Sequence, residues 1–311
     1  MKIGVIGLGP VGSILTAHLH QAGLQTIACD INPVITDAIS RDGIQLTHTI
    51  EASVRGIPVC RTVTGLGMYD LDLVIVAVKA SVMEAVFREL QSIDQGRFRV
   101  LCAQNGIDNE TAAAAVFGPD RVLRMVINYA GNMAGGSTVF VSFFHPPNYI
   151  TALTEKSAAV ARQVAANLTR QGLQTEYVSD IRRQVWEKAI LNSALNAVCA
   201  ITRRTMKDVM DFPGTLDLVE GLLRESIDVA TGNGIHLPED FLDRSMTYLK
   251  TAGHHKPSML ADMEGGRRTE VDWLNGKVAE YGKRAGIPTP LNTALTAMVH
   301  LMEFPSEYRE A

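Results

Sequence analysis

The sequence predicts an α/β fold, a doubly wound and mostly parallel sheet, followed by an all-α carboxyl-terminal domain. Three observations carry this. Short β-branched runs alternate with helical patterns through the first half of the chain, and a glycine-rich turn at residues 7–12 follows the first of them. From about residue 181 onward only helical periodicity remains. Alternating strand and helix calls for crossover connections, hence parallel strands covered on both faces. The domains are placed at residues 1–179 and 180–311.

The elements follow in order. Lys2–Ile6 is a short apolar run ending in glycine, the first strand. Residues 13–22 read as a helix closed by Gly23, residues 24–30 as a second strand, and residues 33–41 as a helix. Strands are read at 73–78 and 99–103 with a helix at 82–91 between them. Strands at 121–129 and 138–144 are expected to extend the same sheet. Residues 156–171 are helical, and 174–178 form a last strand. The second domain is expected to hold about six helices, broken at Asn233-Gly234, Pro238, Pro257, Gly286 and Pro288.

Composition narrows the function. A chain of 311 residues is comfortable for two cores. With 46% hydrophobic and 20% charged residues it reads as an ordinary globular protein. A net charge of -4 without a long basic run argues against nucleic acid or a membrane surface as partner. Cys29, Cys60, Cys102 and Cys199 are scattered, with no CxxC or Cys/His cluster, so no metal site is expected. Three of them sit in apolar surroundings and read as buried free thiols in a reducing cytoplasm. No run is long and apolar enough to span a bilayer, and the start lacks the apolar run of a signal peptide. A cytoplasmic location is expected.

The turn Gly7-Leu8-Gly9-Pro10-Val11-Gly12 lies between a strand and a helix. In that context the glycines permit a tight turn, close approach of backbone to a pyrophosphate, and close helix–strand packing. The helix amino terminus offers unpaired N–H groups and partial positive charge to phosphate. The context favours a Rossmann-type dinucleotide-binding domain over a tight βα turn that holds no ligand. Asp30 ends the second strand, where a carboxylate accepts hydrogen bonds from adenosine ribose hydroxyls and repels a 2′-phosphate. NAD(H) is favoured over NADP(H), which is kept as an alternative because Asn32 softens the discrimination. Asp30 could instead cap the following helix. Lys79 follows the strand at 73–78 and points toward the ligand crevice, in reach of cofactor phosphate or ribose, unless it is simply solvated. Asn105, in Gln104-Asn105-Gly106 after the next strand, could orient nicotinamide or substrate, although Asn-Gly is also a common turn.

In the second domain Lys188, Asn192 and Asn196 recur every four residues, so they form one stripe on a helix. Their neighbours Ala189, Leu191, Leu195 and Val198 are apolar. A polar stripe there faces water, partner groups or a ligand. Farther on, Gly265-Gly266 is expected to break a helix and Glu270 to begin another, with Asp262 a partner for Arg267 or Arg268. No paired-carboxylate or Ser-His-Asp arrangement is evident.

The chain resembles the ketopantoate reductase (2-dehydropantoate 2-reductase) family. The resemblance rests on GLGPVG, QNG, WEKAILNSALN at Trp186–Asn196, SMLADMEGGRRTEVDWLNG at Ser258–Gly276, and GIPTPLN at Gly286–Asn292. It implies a helical domain like the carboxyl-terminal domain of 6-phosphogluconate dehydrogenase. By the same resemblance Lys188 matches the catalytic lysine and Glu270 the motif glutamate. Asn192, Asn196 and Ser258 match substrate-contacting positions, Asn105 an asparagine between cofactor and substrate, and Lys79 a cofactor-side lysine.

The implied chemistry is NAD(P)H-dependent reduction of a 2-oxo acid, with pantothenate biosynthesis as its setting. A lysine ammonium stabilises the developing oxyanion and donates the proton. Glu270 orients Lys188 or binds the nicotinamide ribose. The family usually places a basic residue after the second strand, whereas this sequence has Asp30-Ile31-Asn32. That departure favours NADH and raises an alternative, an NAD-dependent D-2-hydroxyacid dehydrogenase acting on another branched or aromatic 2-oxo acid. A non-catalytic dinucleotide sensor is the third reading, disfavoured by the intact lysine, asparagine, serine and glutamate set. A homodimer through the apolar segment 291–302 is also considered.

Overall fold

The computed structural model describes residues 1–304. The chain divides into two compact units, Met1–Ile181 and a second that begins at Arg182.

The first unit runs β1 (Lys2–Ile6), α1 (Pro10–Gln21), β2 (Gln25–Cys29), α2 (Pro33–Asp42), β3 (Ile44–His48), β4 (Ala52–Val54), β5 (Val59–Cys60), β6 (Leu73–Val76), α3 (Met83–Ile93), β7 (Arg99–Cys102) and α4 (Asn109–Phe117). It continues with β8 (Val122–Val126), β9 (Tyr129–Met133), β10 (Thr138–Phe144), β11 (Asn148–Ala152), α5 (Ala158–Arg170) and β12 (Thr175–Tyr177). Eight strands form the main sheet in the order β12-β11-β8-β7-β6-β1-β2-β5. Every neighbouring pair is parallel except β8 with β11. This is the doubly wound sheet the alternation predicts.

Side chains alternate across the sheet with the period of two that a strand imposes. Ile3 and Val5 of β1, Leu73 and Ile75 of β6, and Leu101 of β7 pack with α1 and α5. Ile6, Val74, Val76, Val100 and Cys102 pack on the opposite face with α3 and α4. Both faces are covered, which explains why these strands read as unbroken apolar runs. β1 lies between β2 and β6, so the chain leaves β1 toward one edge and returns to its other side. That reversal opens a crevice beyond the carboxyl ends of β1 and β6.

Two sequence expectations need correction here. Helix α1 starts at Pro10, three residues earlier than residue 13, because proline fits the first helical position. Residues 138–144 do not extend the main sheet. They form β10 in a separate four-stranded sheet, β4-β3-β10-β9. The run at 121–129 splits into β8 and β9, and β9 and β10 pair as an antiparallel hairpin. Val139 and Val141 are buried while Phe140 is 40% exposed. That one-sided alternation suits a half-covered antiparallel sheet, not a doubly covered one.

The second unit holds α6 (Arg182–Thr202), α7 (Met206–Asp211), α8 (Pro213–Gly232), α9 (Phe241–Lys250), α10 (Ser258–Glu264), α11 (Asn275–Ala285) and α12 (Pro290–Glu303). Seven α-helices among the described residues exceed the expected six or so, because α7 is separate. A capping box starts it, with Thr205 and Asp208 satisfying each other's backbone N–H groups, and Phe212-Pro213 ends it. Helix α6 is central: Ser193–Ala200 are all buried, and α8, α10 and α12 pack on it. A buried polar network ties these helices. The Glu225 carboxylate accepts the Leu291 and Asn292 N–H groups at the start of α12, at 2.8 and 3.0 Å. The Asn275 amide donates to Asn292 Oδ1 and to the Ser193 carbonyl, both at 2.9 Å. Among the described residues no helix is long and apolar enough to cross a membrane.

Candidate active site

In the first unit, the glycine loop leaves β1 at the crevice. The three glycines do different work. Gly7 has φ of +89°, and a Cβ there would lie 2.8 Å from the Val78 backbone nitrogen. A Cβ on Gly12 would lie 1.8 Å from the Gly7 carbonyl oxygen. Both positions exclude a side chain through the fold itself. A Cβ on Gly9 would meet nothing within 4 Å. Internal packing gives no reason for glycine there, whereas a pyrophosphate lying on the loop does. Gly9 is also the cap residue of α1, which has no side-chain cap and no acidic residue in its first turn. Its leading N–H groups suit an anion. The loop thus has the shape and the unpaired N–H groups that a dinucleotide's pyrophosphate would need.

Asp30 lies beside this loop. One carboxylate oxygen accepts the Leu8 N–H at 2.6 Å, and the other accepts the Asn32 N–H at 2.8 Å. The cap of α2 is Asn32, whose Oδ1 accepts the Val34 N–H at 3.0 Å. Each Asp30 oxygen keeps a second lone-pair site after those bonds. Lys79 is half-buried and follows Ala77–Val78, the segment packed against Gly7. Asn105 is half-buried one strand farther along the same sheet edge, where the Ala103 N–H bonds the Val76 carbonyl at 3.0 Å. Gly7–Gly12, Asp30, Lys79 and Asn105 therefore share the carboxyl edge of β1, β2, β6 and β7.

Sequence reasoning missed Arg124 in β8, which is 2% exposed. Its guanidinium donates to the carbonyls of Gln104 at 2.7 Å, Gly106 at 2.8 Å and Cys102 at 3.3 Å. A lone charge inside the apolar run Val-Leu-Arg-Met-Val was the available signal. Burial pushes the Cys102 thiol up to about 12, as it does Cys29, so neither supplies a thiolate.

In the second unit, Lys188, Asn192 and Asn196 lie along α6. Lys188 and Asn192 are half-buried, and Asn196 is buried. Trp186 packs edge-on against Tyr281 of α11, so its role is to hold α6. Ser258 is the exposed first residue of α10, which packs on α6. Asp262, one turn on, is buried and pairs with Arg267 at 3.0 Å. Glu270 does not begin an α-helix. It precedes a single 3₁₀ turn at Val271–Trp273, and α11 starts at Asn275. Glu270 is buried on a fixed backbone, since the Thr269 N–H bonds Glu303 at 2.7 Å and the Val271 N–H bonds Thr269 Oγ1 at 3.2 Å. A cavity of about 450 Å³ in this unit is lined by Arg203, Met263 and Arg267 among others. None of the five sequence-chosen residues lines it. No group of three or more His, Cys, Asp or Glu among the described residues could hold a metal ion.

Fold and loop define the class: an NAD(P)-dependent oxidoreductase built on a Rossmann-type sheet with a helical carboxyl-terminal unit. The two halves separately give its family. Residues 3–151 match ketopantoate reductase PanE/ApbA, and residues 180–303 match the ketopantoate reductase PanE/ApbA C-terminal domain. The chain belongs to this family. It is 28% identical over 304 residues to 2-dehydropantoate 2-reductase of Archaeoglobus fulgidus, covering 97% of this chain and 98% of the relative. The PanE/ApbA family ketopantoate reductase from Ralstonia eutropha JMP134 has a similar structure, with a TM-score of 0.87 and 27% identity over 97% of this chain and 98% of that one. D-mandelate dehydrogenase in a ternary structure with NADH and anilino(oxo)acetate has a TM-score of 0.86 and 25% identity over the same shares.

Proposed function

We propose that this chain reduces a 2-oxo acid to the 2-hydroxy acid with NADH. The observation that carries this reading is the Lys188–Asn192–Asn196 stripe, flanked by apolar Ala189, Leu191, Leu195 and Val198 on the central helix, with the buried Glu270 in the same unit. Bound NADH supplies the hydride, which goes to the keto carbon. Lys188 faces the carbonyl oxygen, stabilises its growing negative charge and gives it a proton. In the second unit Asn192, Asn196 and Ser258 hold the substrate carboxylate and any hydroxyl; in the first, Asn105 orients the nicotinamide or the substrate. Glu270 orients Lys188 or holds the nicotinamide ribose. Four buried free thiols support a reducing cytoplasm as the setting.

Two substrates compete. Family membership favours ketopantoate. A D-2-hydroxyacid dehydrogenase acting on a branched or aromatic 2-oxo acid is favoured by Asp30 and by the likeness to D-mandelate dehydrogenase with NADH. A panel of 2-oxo acids, each assayed with NADH and with NADPH, decides between them, and turnover of none defeats both.

The NADH preference rests on Asp30. Its Leu8 contact means that Asp30→Ala also loosens the glycine loop. Both cofactors should therefore bind more weakly, with kcat/KM for NADH falling more, so that the NADH/NADPH ratio drops about tenfold. An unchanged ratio would leave Asp30 a loop fixture only. We also propose a homodimer through α12, where Met298, Leu301, Met302 and Phe304 are exposed. Sedimentation should show a dimer that Leu301→Glu converts to monomer. A monomeric parent protein rejects this.

A further inference from the structure

We propose that Arg124 is a positioning residue that sets the turn carrying Asn105; this rests on the reading of Asn105 given above. The three carbonyls that take Arg124 N–H bonds, from Cys102, Gln104 and Gly106, all belong to the segment leaving β7. The intervening Asn105 carbonyl is taken by the Asn109 amide at 2.7 Å. The four acceptors around Asn105 are thus held by two side chains from β8 and α4.

The turn needs that hold. Gly106 has φ of +101° and Asp108 has φ of +68°, two left-handed residues within three positions. Glycine takes that conformation freely, but the non-glycine Asp108 holds it at a cost that its surroundings must outweigh.

Stability alone is a poor reason for this arginine. A buried guanidinium carries a large desolvation cost, and apolar residues of similar volume often do as well or better. Glu110 Oε2 lies 3.1 Å from Arg124 Nε and balances the charge, yet the two are not aligned as a hydrogen bond. Both amide atoms of Gln104 and Asn109 Oδ1 are also buried without a partner among the described residues. A core selected only for stability leaves few such groups. What the assembly does provide is one fixed path for residues 102–106, at the sheet edge where the cofactor loop sits. A displacement of about 1 Å at a reacting centre costs about 10²-fold in rate.

The test compares Asn105→Ala, Arg124→Met, Arg124→Lys and the Asn105→Ala/Arg124→Met double variant. The substrate is ketopantoate or phenylglyoxylate, whichever the parent enzyme turns over faster. NADH affinity is followed by fluorescence. Asn105→Ala should lower kcat. Arg124→Met should lower kcat about tenfold or more with the NADH Kd within about threefold, and the double variant should be no slower than the slower single. Arg124→Lys, which keeps the charge but not the fork, should fall between parent and Arg124→Met. The proposal is overturned by parental kcat in folded Arg124→Met while Asn105→Ala is impaired, or by losses that multiply in the double. If Arg124→Met does not fold, Arg124→Lys decides, and a parental kcat there overturns the proposal. Parental turnover in Asn105→Ala instead removes the reading of Asn105, and this proposal with it.

Discussion

Replacing Lys188 by alanine should lower kcat for 2-oxo acid reduction by about 10²-fold or more. The expectation follows from what the reaction asks of one group. As hydride reaches the keto carbon, the carbonyl oxygen becomes an alkoxide, and an ammonium there both stabilises the charge and supplies a proton. Lys188 is the cation on the α6 stripe, and Asn192 and Asn196 have no proton of that acidity to offer. The loss should fall on kcat and kcat/KM together, because the interaction strengthens toward the transition state. NADH binding should barely change. Lys188→Arg keeps the charge but is a far weaker acid, so it too should leave substrate KM near the parental value without restoring kcat. Near-parental turnover by Lys188→Ala would reject lysine as the proton donor and move that role to another group.

The second large effect separates glycines that look alike in sequence. Gly9→Ala should leave thermal stability unchanged, because a Cβ there meets nothing within 4 Å. It should still weaken NADH binding about tenfold or more, since the methyl occupies the place the pyrophosphate approaches. Gly12→Ala should do the reverse in order of cause. Its Cβ would lie 1.8 Å from the Gly7 carbonyl oxygen, so backbone must move. A loss of about 1–3 kcal/mol in stability is expected, and NADH binding fails because the loop is displaced. Thermal melts with and without NADH read both. Equal destabilisation by the two variants would mean that Gly9 serves the fold, not a ligand.

Much of the fold was legible because burial imposes period. The strands around β1, β6 and β7 are apolar on both faces, and the helices between them fix their parallel direction. What stayed hidden depends on contacts remote in sequence. Nothing local says that residues 138–144 leave the main sheet, since β10 pairs with β3 almost a hundred residues earlier. Helix α7 gave no separate signal, because its boundaries are a capping box and a proline, not a change of periodicity. At the site, the glycine turn and Asp30 were readable as types. That Asp30 holds the Leu8 amide was not, as the two are 22 residues apart. Arg124 was visible as an oddity, but its acceptors are backbone atoms, which sequence does not distinguish. Asn275 and Asn292, inside motifs that carried the resemblance, tie helices together.

The double engagement of Asp30 bears on how this enzyme could change over evolutionary or engineered time. One carboxylate braces the loop through Leu8 and, on the proposed reading, would also repel a 2′-phosphate. Asp30→Ala would remove both at once, whereas Asp30→Asn gives up the charge but keeps an oxygen for the Leu8 N–H. On that reading, conversion to NADPH use by loss of the Asp30 side chain passes through a weakened loop unless the replacement or a second residue accepts the Leu8 amide. The proposed nucleotide preference is in that sense tied to the architecture of the loop, and a successful switch should be found among changes that keep an acceptor for the Leu8 amide.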